Sequence, residues 1–254
     1  MPRVSIITPL YNGAKFVAAN IKSVQAQSMG DYEHIIIDNG STDDGATIAR
    51  QFAAADDRIV VLENKKIKGA AATRNVGLAA ACGRYIAFLD SDDTWMPDKL
   101  ERQTDAMARN NIAFSWTSYQ VTDGDGDPIR TQYARGDVSF EDILKKNVTI
   151  GCLTVAYDAS VFGHMRMGKE DIHEDFCLWI DILTLCQSEG LKFRGIDGVL
   201  ASYRTHTGTK SSNKIAAAKL HWRSCRKHLG MSFVKSTYYF VYYVKNAIMD
   251  RSRA

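Results

Sequence analysis

The stretch Tyr85-Ile86-Ala87-Phe88-Leu89-Asp90-Ser91-Asp92-Asp93 runs five apolar and aromatic residues into three carboxylates within four positions. An unbroken apolar run of this length reads as a buried strand, with the charges gathered at its polar end. Carboxylates so close repel one another unless something positive sits among them, and a divalent cation is the natural partner. Side chains two apart in an extended chain share a face, so Asp90 and Asp92 are expected on one side and Asp93 on the other. Two hard oxygen donors at a strand end suit Mg2+ or Mn2+ bridging a diphosphate, because these ions keep positions open for phosphate oxygens and water. Taken alone, the stretch reads equally as an acidic helix-capping turn before Pro97. Its neighbours decide between the two.

Toward the N-terminus the chain alternates. Val4-Ser5-Ile6-Ile7-Thr8 predicts a strand stopped by Pro9, then a turn at Tyr11-Asn12-Gly13 and a helix on which Val17, Ile21 and Val24 recur at helical spacing. Glu33 to Asp38 predicts a second strand, leading into the turn Asn39-Gly40-Ser41-Thr42-Asp43 and a helix carrying Ile48 and Phe52. Arg58 to Leu62 is the third strand. A basic loop follows it, then a helix around Ala72, Val76 and Ala79 closed by Gly83. Such alternation implies the α/β class, with parallel strands, helices on both faces and ligands beyond the carboxyl ends of the strands. Thr8-Pro9, Asp38-Asn39 and Asp90-Ser91-Asp92 all fall there. No G-x-G-x-x-G follows the first strand, which argues against a dinucleotide.

Beyond Pro97 the pattern becomes mixed α+β. A helix with Leu100 and Met107 precedes a strand at Ile112 to Tyr119, a turn at Asp123-Gly124-Asp125-Gly126-Asp127 and a strand at Leu153 to Tyr157. The acidic turn imitates a calcium loop but has Pro128 and Ala134 where such a loop needs Gly and Glu, so it reads as a turn. His173-Glu174-Asp175 precedes the apolar stripe Leu178, Trp179, Ile182, Leu183 and Cys186, which puts two carboxylates at a helix N-terminus, where the dipole favours their ionised form. An ionised carboxylate there serves as a base or as a cap. A zinc motif is excluded because Cys177 stands where the second His would be. Tyr203-Arg204-Thr205-His206 ends a strand at Val199 to Ser202 and opens a Gly/Ser/Thr/Lys-rich loop of the kind that closes over phosphates.

The chain has 254 residues, 45% of them hydrophobic, enough for one large core or a domain with an appendage. Five cysteines without a C-x-x-C pair indicate neither a disulfide framework nor a zinc site, so a reducing cytoplasm is expected. Met1-Pro2-Arg3 runs into the first strand with no basic n-region and h-region, so no secretory signal is expected. Charge is unevenly placed: from Lys214 to Ala254 nine Lys/Arg face Asp250 alone, a net +8, while the whole chain carries +3. A mildly acidic body with a basic, aromatic tail points to an anionic surface as the tail's partner.

These motifs, in this order, resemble the family 2 glycosyltransferases of GT-A fold: Val4 to Asn12, Ile36 to Asp43, Arg74-Asn75, Phe88 to Asp93, His173-Glu174-Asp175 and Tyr203-Arg204-x-His206. The likeness covers nearly the whole chain and is nearest to bacterial enzymes that build capsule, teichuronic acid, exopolysaccharide or O-antigen. It implies a nucleotide-sugar half at 1–111, an acceptor and base half at 112–213 and a helical tail at 214–254. By resemblance, Thr8, Pro9, Tyr11, Asp38, Asn39, Arg74, Asp90, Ser91, Arg204 and His206 bind the donor, Asp92 with Asp90 holds Mn2+ or Mg2+, and Asp175 is the base. Many members have Asp where this chain has Asn39. An amide can still pair a pyrimidine, so a UDP-sugar remains the first expectation and a dTDP-sugar the second.

Direct displacement at an anomeric carbon needs one base and charge neutralisation of the leaving diphosphate, and it inverts the product. A nucleotidyltransferase is the first rival, but its Gly-rich, Arg-containing opening loop is missing from Thr8 to Asn12. A non-catalytic sugar-nucleotide or membrane-binding module is the second. A processive synthase is disfavoured because neither a membrane span nor Q-x-x-R-W occurs. Nucleic acid is not an expected partner. The tail is expected to lie flat on the inner face of the cytoplasmic membrane beside a lipid-linked saccharide acceptor, with Phe233, Phe240, Val244 and Ile248 on one stripe, Tyr238, Tyr239, Tyr242 and Tyr243 at the headgroups, and Lys235 and Lys245 on anionic lipid. Its rival fates are packing on the protein's own core or a homodimer.

Overall fold

The computed structural model of the chain describes residues 1–64, 69–136, 138–168, 172–206 and 214–252. The basic loop after the third strand and the Gly/Ser/Thr/Lys-rich loop after His206 fall outside them, as does the side chain of Ile248. The first half is β1 (Val4–Leu10), α1 (Val17–Gln25), β2 (Tyr32–Asp38), α2 (Gly45–Ala53), β3 (Ile59–Glu63), α3 (Ala70–Ala80) and β4 (Tyr85–Phe88). Here β1 lies parallel between β2 and β4, and β3 extends β2 in parallel.

The central strands β1 and β4 are buried on both faces, and their apolar residues serve both. Ile7, Ile35, Ile37, Ile86 and Phe88 share one buried cluster with Ala71 and Leu78 of α3. Their sequence neighbours turn to the other face: Ile6, Tyr85 and Ala87 pack with Val24 of α1, and Leu10 and Ile36 with Val17, Ile21 and Ala49. Contact on the α3 side is close. A Cβ on Gly77 would stand 2.7 Å from both Ile7 Cγ2 and Ile37 Cδ1.

The second half is β5 (Thr94–Trp95), α4 (Lys99–Asn110), β6 (Ile112–Thr122), β7 (Pro128–Gln132), α5 (Phe140–Leu144), β8 (Ala156–Asp158), α6 (Ala159–Phe162), α7 (Glu174–Ser188) and β9 (Lys192–Arg204). It continues the same sheet, in the order β3-β2-β1-β4-β8-β6-β9-β5 with β7 paired to β6. The short β8 is antiparallel to both β4 and β6, and it is the seam between the parallel half and the mixed half.

Two strands differ from expectation. Cys152–Thr154 is a turn of 3-10 helix, closed by Thr154 N–H and Oγ1 donating to the Gly151 carbonyl, so only the end of the expected strand at Leu153 to Tyr157 pairs. In contrast, β9 is far longer than Val199 to Ser202. Gly195 concealed it: a Cβ there would meet the Arg135 carbonyl oxygen at 2.1 Å, so a residue that reads as a loop is the one that lets the strand pass. The Asp123 to Asp127 segment is a turn, with Asp123 Oδ1 accepting the N–H groups of Asp125, Gly126 and Asp127 at 3.0, 2.9 and 2.9 Å.

The tail folds back as α8 (Lys214–Arg223), a π-helical turn at Ser224–His228 and α9 (Phe233–Ser252). Cys225, Met231 and Tyr239 join the same buried cluster as Trp179, and the Tyr243 ring stacks on His221 at 4.1 Å between centroids. The expected placement of Tyr239 and Tyr243 at lipid headgroups is therefore corrected, because these rings cover the protein's own core. Phe240 meets Trp222 edge-on at 5.5 Å. A different face is left to solvent, formed by Phe233, Val234, Tyr238 and Val241 with Lys235 and Lys245 exposed beside them. No helix among the described residues is long and apolar enough to cross a membrane.

Candidate active site

The acidic stretch leaves the sheet after Phe88 and closes as a turn, with Asp93 N–H donating to the Asp90 carbonyl at 3.0 Å. A turn, rather than an extended strand, thus separates the carboxylates, and Asp93 is the buried one of the three: it is 1% exposed and Oδ1 accepts the Arg204 N–H at 2.8 Å. Asn20, fully buried on α1, clamps the turn by donating its Nδ2 hydrogens to the carbonyls of Asp90 and Asp93 at 2.8 and 2.9 Å. Burial, reinforced by the Asp90 charge, raises the Asp92 carboxyl above its ordinary range, and His206 opposes that shift with Nε2 at 3.0 Å from Asp92 Oδ2. Arg204 adds a bond from Nε to the Asp92 carbonyl at 3.2 Å. Phe16 backs both partners, its ring 5.0 Å from the His206 ring and 5.2 Å from the Arg204 guanidinium carbon.

The loops after β1 and β2 are stitched into one rim. Asn12, held at a positive φ of 50°, accepts from Thr42 N–H at 2.8 Å and donates its own N–H to Ser41 Oγ at 3.0 Å. Asp43 takes the Ala14 and Gly45 N–H groups. Gly13 lets this rim touch the acidic turn, since a Cβ there would lie 3.2 Å from Ser91 Oγ. Asp38 is 8% exposed and accepts from Ser41 N–H at 3.0 Å. Asn39 is half-buried, with Oδ1 accepting from Asn64 Nδ2 at 3.1 Å, which leaves its amide hydrogens for a ligand. Tyr11 is exposed and Pro9 half-buried on the same rim. Thr8 is the exception: it is fully buried and its hydroxyl bonds His34 Nε2 at 2.9 Å, so its side chain serves the sheet and not a donor.

Arg74 joins this rim to the start of α7. Its guanidinium is 7% exposed, Nη2 lies 2.5 Å from Asp90 Oδ1 and Nη1 3.7 Å from Glu174 Oε1 at the start of α7. Asp175, the next residue of α7, keeps a third of its side chain exposed and lies 3.9 Å from His173 Nδ1. Burial pushes its carboxyl up, but His173, Arg74 and the Phe176 N–H together outweigh burial and hold it below the usual range. Asn75 exchanges two bonds with the Met167 backbone, at 3.0 and 2.8 Å, and so pins the segment that leads toward α7. Asn20 and Phe16 escaped the sequence reading, because each acts across tens of residues and carries no local motif; Asn12, Asp43 and Asn75 stood within the sequence motifs, but the bonds they make across the chain were not legible there. Glu174 was legible only as half of an acidic pair.

Residues 5–176 match the profile of glycosyl transferase family 2, about two thirds of the chain. The chain belongs to that family. Its similarity to curated relatives runs nearly end to end: 39% identity over 98% of both chains to the putative teichuronic acid biosynthesis glycosyltransferase TuaG of Bacillus subtilis. To the Escherichia coli UDP-Glc:alpha-D-GlcNAc-diphosphoundecaprenol beta-1,3-glucosyltransferase WfgD it is 34% identical over 97% of this chain and 92% of the relative. The sheet and its helices superpose on residues 1–349 of Staphylococcus aureus TarS in complex with UDP-GlcNAc with a TM-score of 0.71 at 16% identity, covering 97% of this chain and 72% of that fragment. The mannosyltransferase PcManGT of Pyrobaculum calidifontis, in complex with GDP-Man and Mn2+, gives 0.68 at 15%, covering 97% and 73%. This glycosyltransferase thus has the expected GT-A-type fold. Its acidic turn and its α7 carboxylates stand where the two halves of the sheet meet.

Proposed function

We propose that this glycosyltransferase moves a hexose or N-acetylhexosamine from a nucleoside-diphosphate sugar, UDP foremost and dTDP second, to a lipid-linked saccharide, with inversion at the anomeric carbon. The observation that carries the reading is the Asp90–Arg74–Glu174 bridge, which sets a metal-type acidic turn on one side of a buried cation and an ionised carboxylate, Asp175, on the other. In this reading Asp175 accepts the proton of the acceptor hydroxyl as that oxygen bonds the anomeric carbon. The bond from that carbon to the diphosphate breaks on the opposite face, and its electron pair leaves with the nucleoside diphosphate. Arg204 and His206 face the diphosphate, and Asp38 and Asn39 face the base.

The turn suits Mn2+ or Mg2+. Asp92 is raised by burial and by Asp90, a repulsion that a cation relieves. Among the described residues no group of three or more His, Cys, Asp or Glu is gathered to hold an ion. Asp92, with Asp90 beside it, would hold the ion, and the ion supplies charge neutralisation of the leaving group when bound.

Roles in surface polysaccharide synthesis and at the inner face of the cytoplasmic membrane are supported by the names of the relatives and by the exposed basic and apolar face of α9. Screening nucleotide sugars for release of nucleoside diphosphate, with and without Mn2+, and reading the product's anomeric configuration by NMR tests the proposal. Release that is indifferent to the metal, or a retained configuration, would overturn the mechanism.

A further inference from the structure

His173 occupies the N-cap position of α7, yet its side chain makes no capping bond. It is held from behind by the tail. Its backbone N–H donates to the Oγ of fully buried Ser224 at 3.0 Å, and Ser224 in turn donates to the Leu220 carbonyl at 3.0 Å. The His173 Nδ1 stands 3.9 Å from Asp175 Oδ1. The charged and titratable groups around the pair come from every neighbouring element: Glu174 on α7, Arg74 on α3, Cys152 and Cys177, His221 on α8, Tyr243 on α9, and Lys146 over the Tyr243 ring.

We infer that His173 is a positioning residue for Asp175, and that α8 and the turn after it hold His173 in place, making the C-terminal segment part of the catalytic base's setting. The inference rests on Asp175 being the base. A base must be unprotonated and aimed at the acceptor hydroxyl, and a neighbouring cation serves both ends. Burial would lower the His173 imidazole, but Asp175 and Glu174 outweigh it and hold it above its usual range. His221 is the opposite case, depressed to about 3 by burial and by the His173 and Lys146 charges. Of the two histidines behind the base, His173 is the one with a carboxylate beside it, Nδ1 standing 3.9 Å from Asp175 Oδ1, and the one whose protonated form its surroundings favour.

The test uses the full-length protein. NMR titration of the histidines, with the His173 signal assigned by its loss in His173→Gln, needs no substrate. His173 should titrate above the ordinary histidine value and fall toward it in Asp175→Asn, which removes the neighbouring charge. With the nucleotide sugar found active in the screen above, His173→Gln should lower kcat by roughly 10–100-fold with donor KM within about twofold, and should move the acidic limb of the pH profile upward. His173→Arg, which restores a cation, should return the limb, whereas a merely structural defect would leave it in place. Ser224→Ala should lower kcat in the same direction as His173→Gln.

A His173 that titrates like a free histidine in both proteins, or a His173→Gln enzyme with an unchanged pH profile, overturns the inference. Full activity of Asp175→Asn would instead overturn the base reading beneath it, so the two failures are distinguishable.

Discussion

Replacing Asn20 by Ala removes the two hydrogen bonds that hold the carbonyls of Asp90 and Asp93, at 2.8 and 2.9 Å, without touching any group proposed to meet substrate. Each such bond contributes about 1 kcal/mol net, so the pair accounts for about 2 kcal/mol. In a chain of this size that loss lowers Tm by about 4–8 °C. Asn20→Asp should be worse. It keeps the shape but aims a carboxylate oxygen at two carbonyls in a site that is fully buried. Activity should fall further than stability suggests, by roughly 10²-fold in kcat, because a shift of about an ångström at the acidic turn misplaces the diphosphate and its ion. Thermal melts followed by ellipticity, together with turnover measured well below the melting temperature, separate the two effects. An Asn20→Ala enzyme that melts with the wild type and turns over at full rate would show that the turn keeps its shape unaided, and the clamp argument would be refuted.

Asp92→Ala should abolish the metal dependence of donor binding, while Asp175→Asn should bind donor normally and lose roughly 10²–10⁴-fold in turnover; calorimetry and steady-state rates distinguish them. Asn39→Ala should weaken UDP and dTDP alike by about 1–3 kcal/mol in calorimetry if its amide, fixed by Asn64, meets the pyrimidine edge. His34 and His221 are both depressed by burial from 6.5 to about 3, so between those values the unfolded chain takes up protons that the folded chain refuses. Stability is thus full above the upper value and falls with added acid by at most about 1.4 kcal/mol per pH unit for each histidine; urea melts at a series of pH values should show a shallower fall in His34→Gln. Deleting residues 231–254 should destabilise the enzyme, because Met231 and Tyr239 lie in its core. Membrane docking is therefore better tested with Phe233, Val234 and Val241 changed to Ser, which should lose flotation on anionic liposomes and keep turnover on soluble acceptors.

The parallel half was legible because burial on both faces puts apolar residues at adjacent positions: Ile6 and Ile7 serve opposite faces, and both had to be apolar. The acidic turn and the start of α7 were legible because charge density at an element's end is a local property. What was hidden is long-range or contrary to propensity. Nothing near Asn20 in sequence announces the carbonyls of Asp90 and Asp93, and Thr8 turned inward because a buried histidine on the adjacent strand needed a partner. The tail's amphipathic pattern was real, but a stripe cannot say which surface it meets. Tyr239 and Tyr243 meet the protein itself.

Gly77 gives a last consequence. It sits three residues beyond Arg74, one turn along α3, and its missing methyl lets the helix settle on Ile7 and Ile37. Ile37 could turn its terminal carbon aside, but Ile7 offers a methyl branched at Cβ inside a fully buried cluster and has nowhere to go. The helix would have to lift. Arg74 reaches Asp90 at 2.5 Å and Glu174 at 3.7 Å from that helix, so the spacing between α3 and the sheet works as a ruler for an arginine of fixed length. One methyl group, whose nearest neighbours are two isoleucines, would then read in a rate assay as though the arginine itself had been cut short.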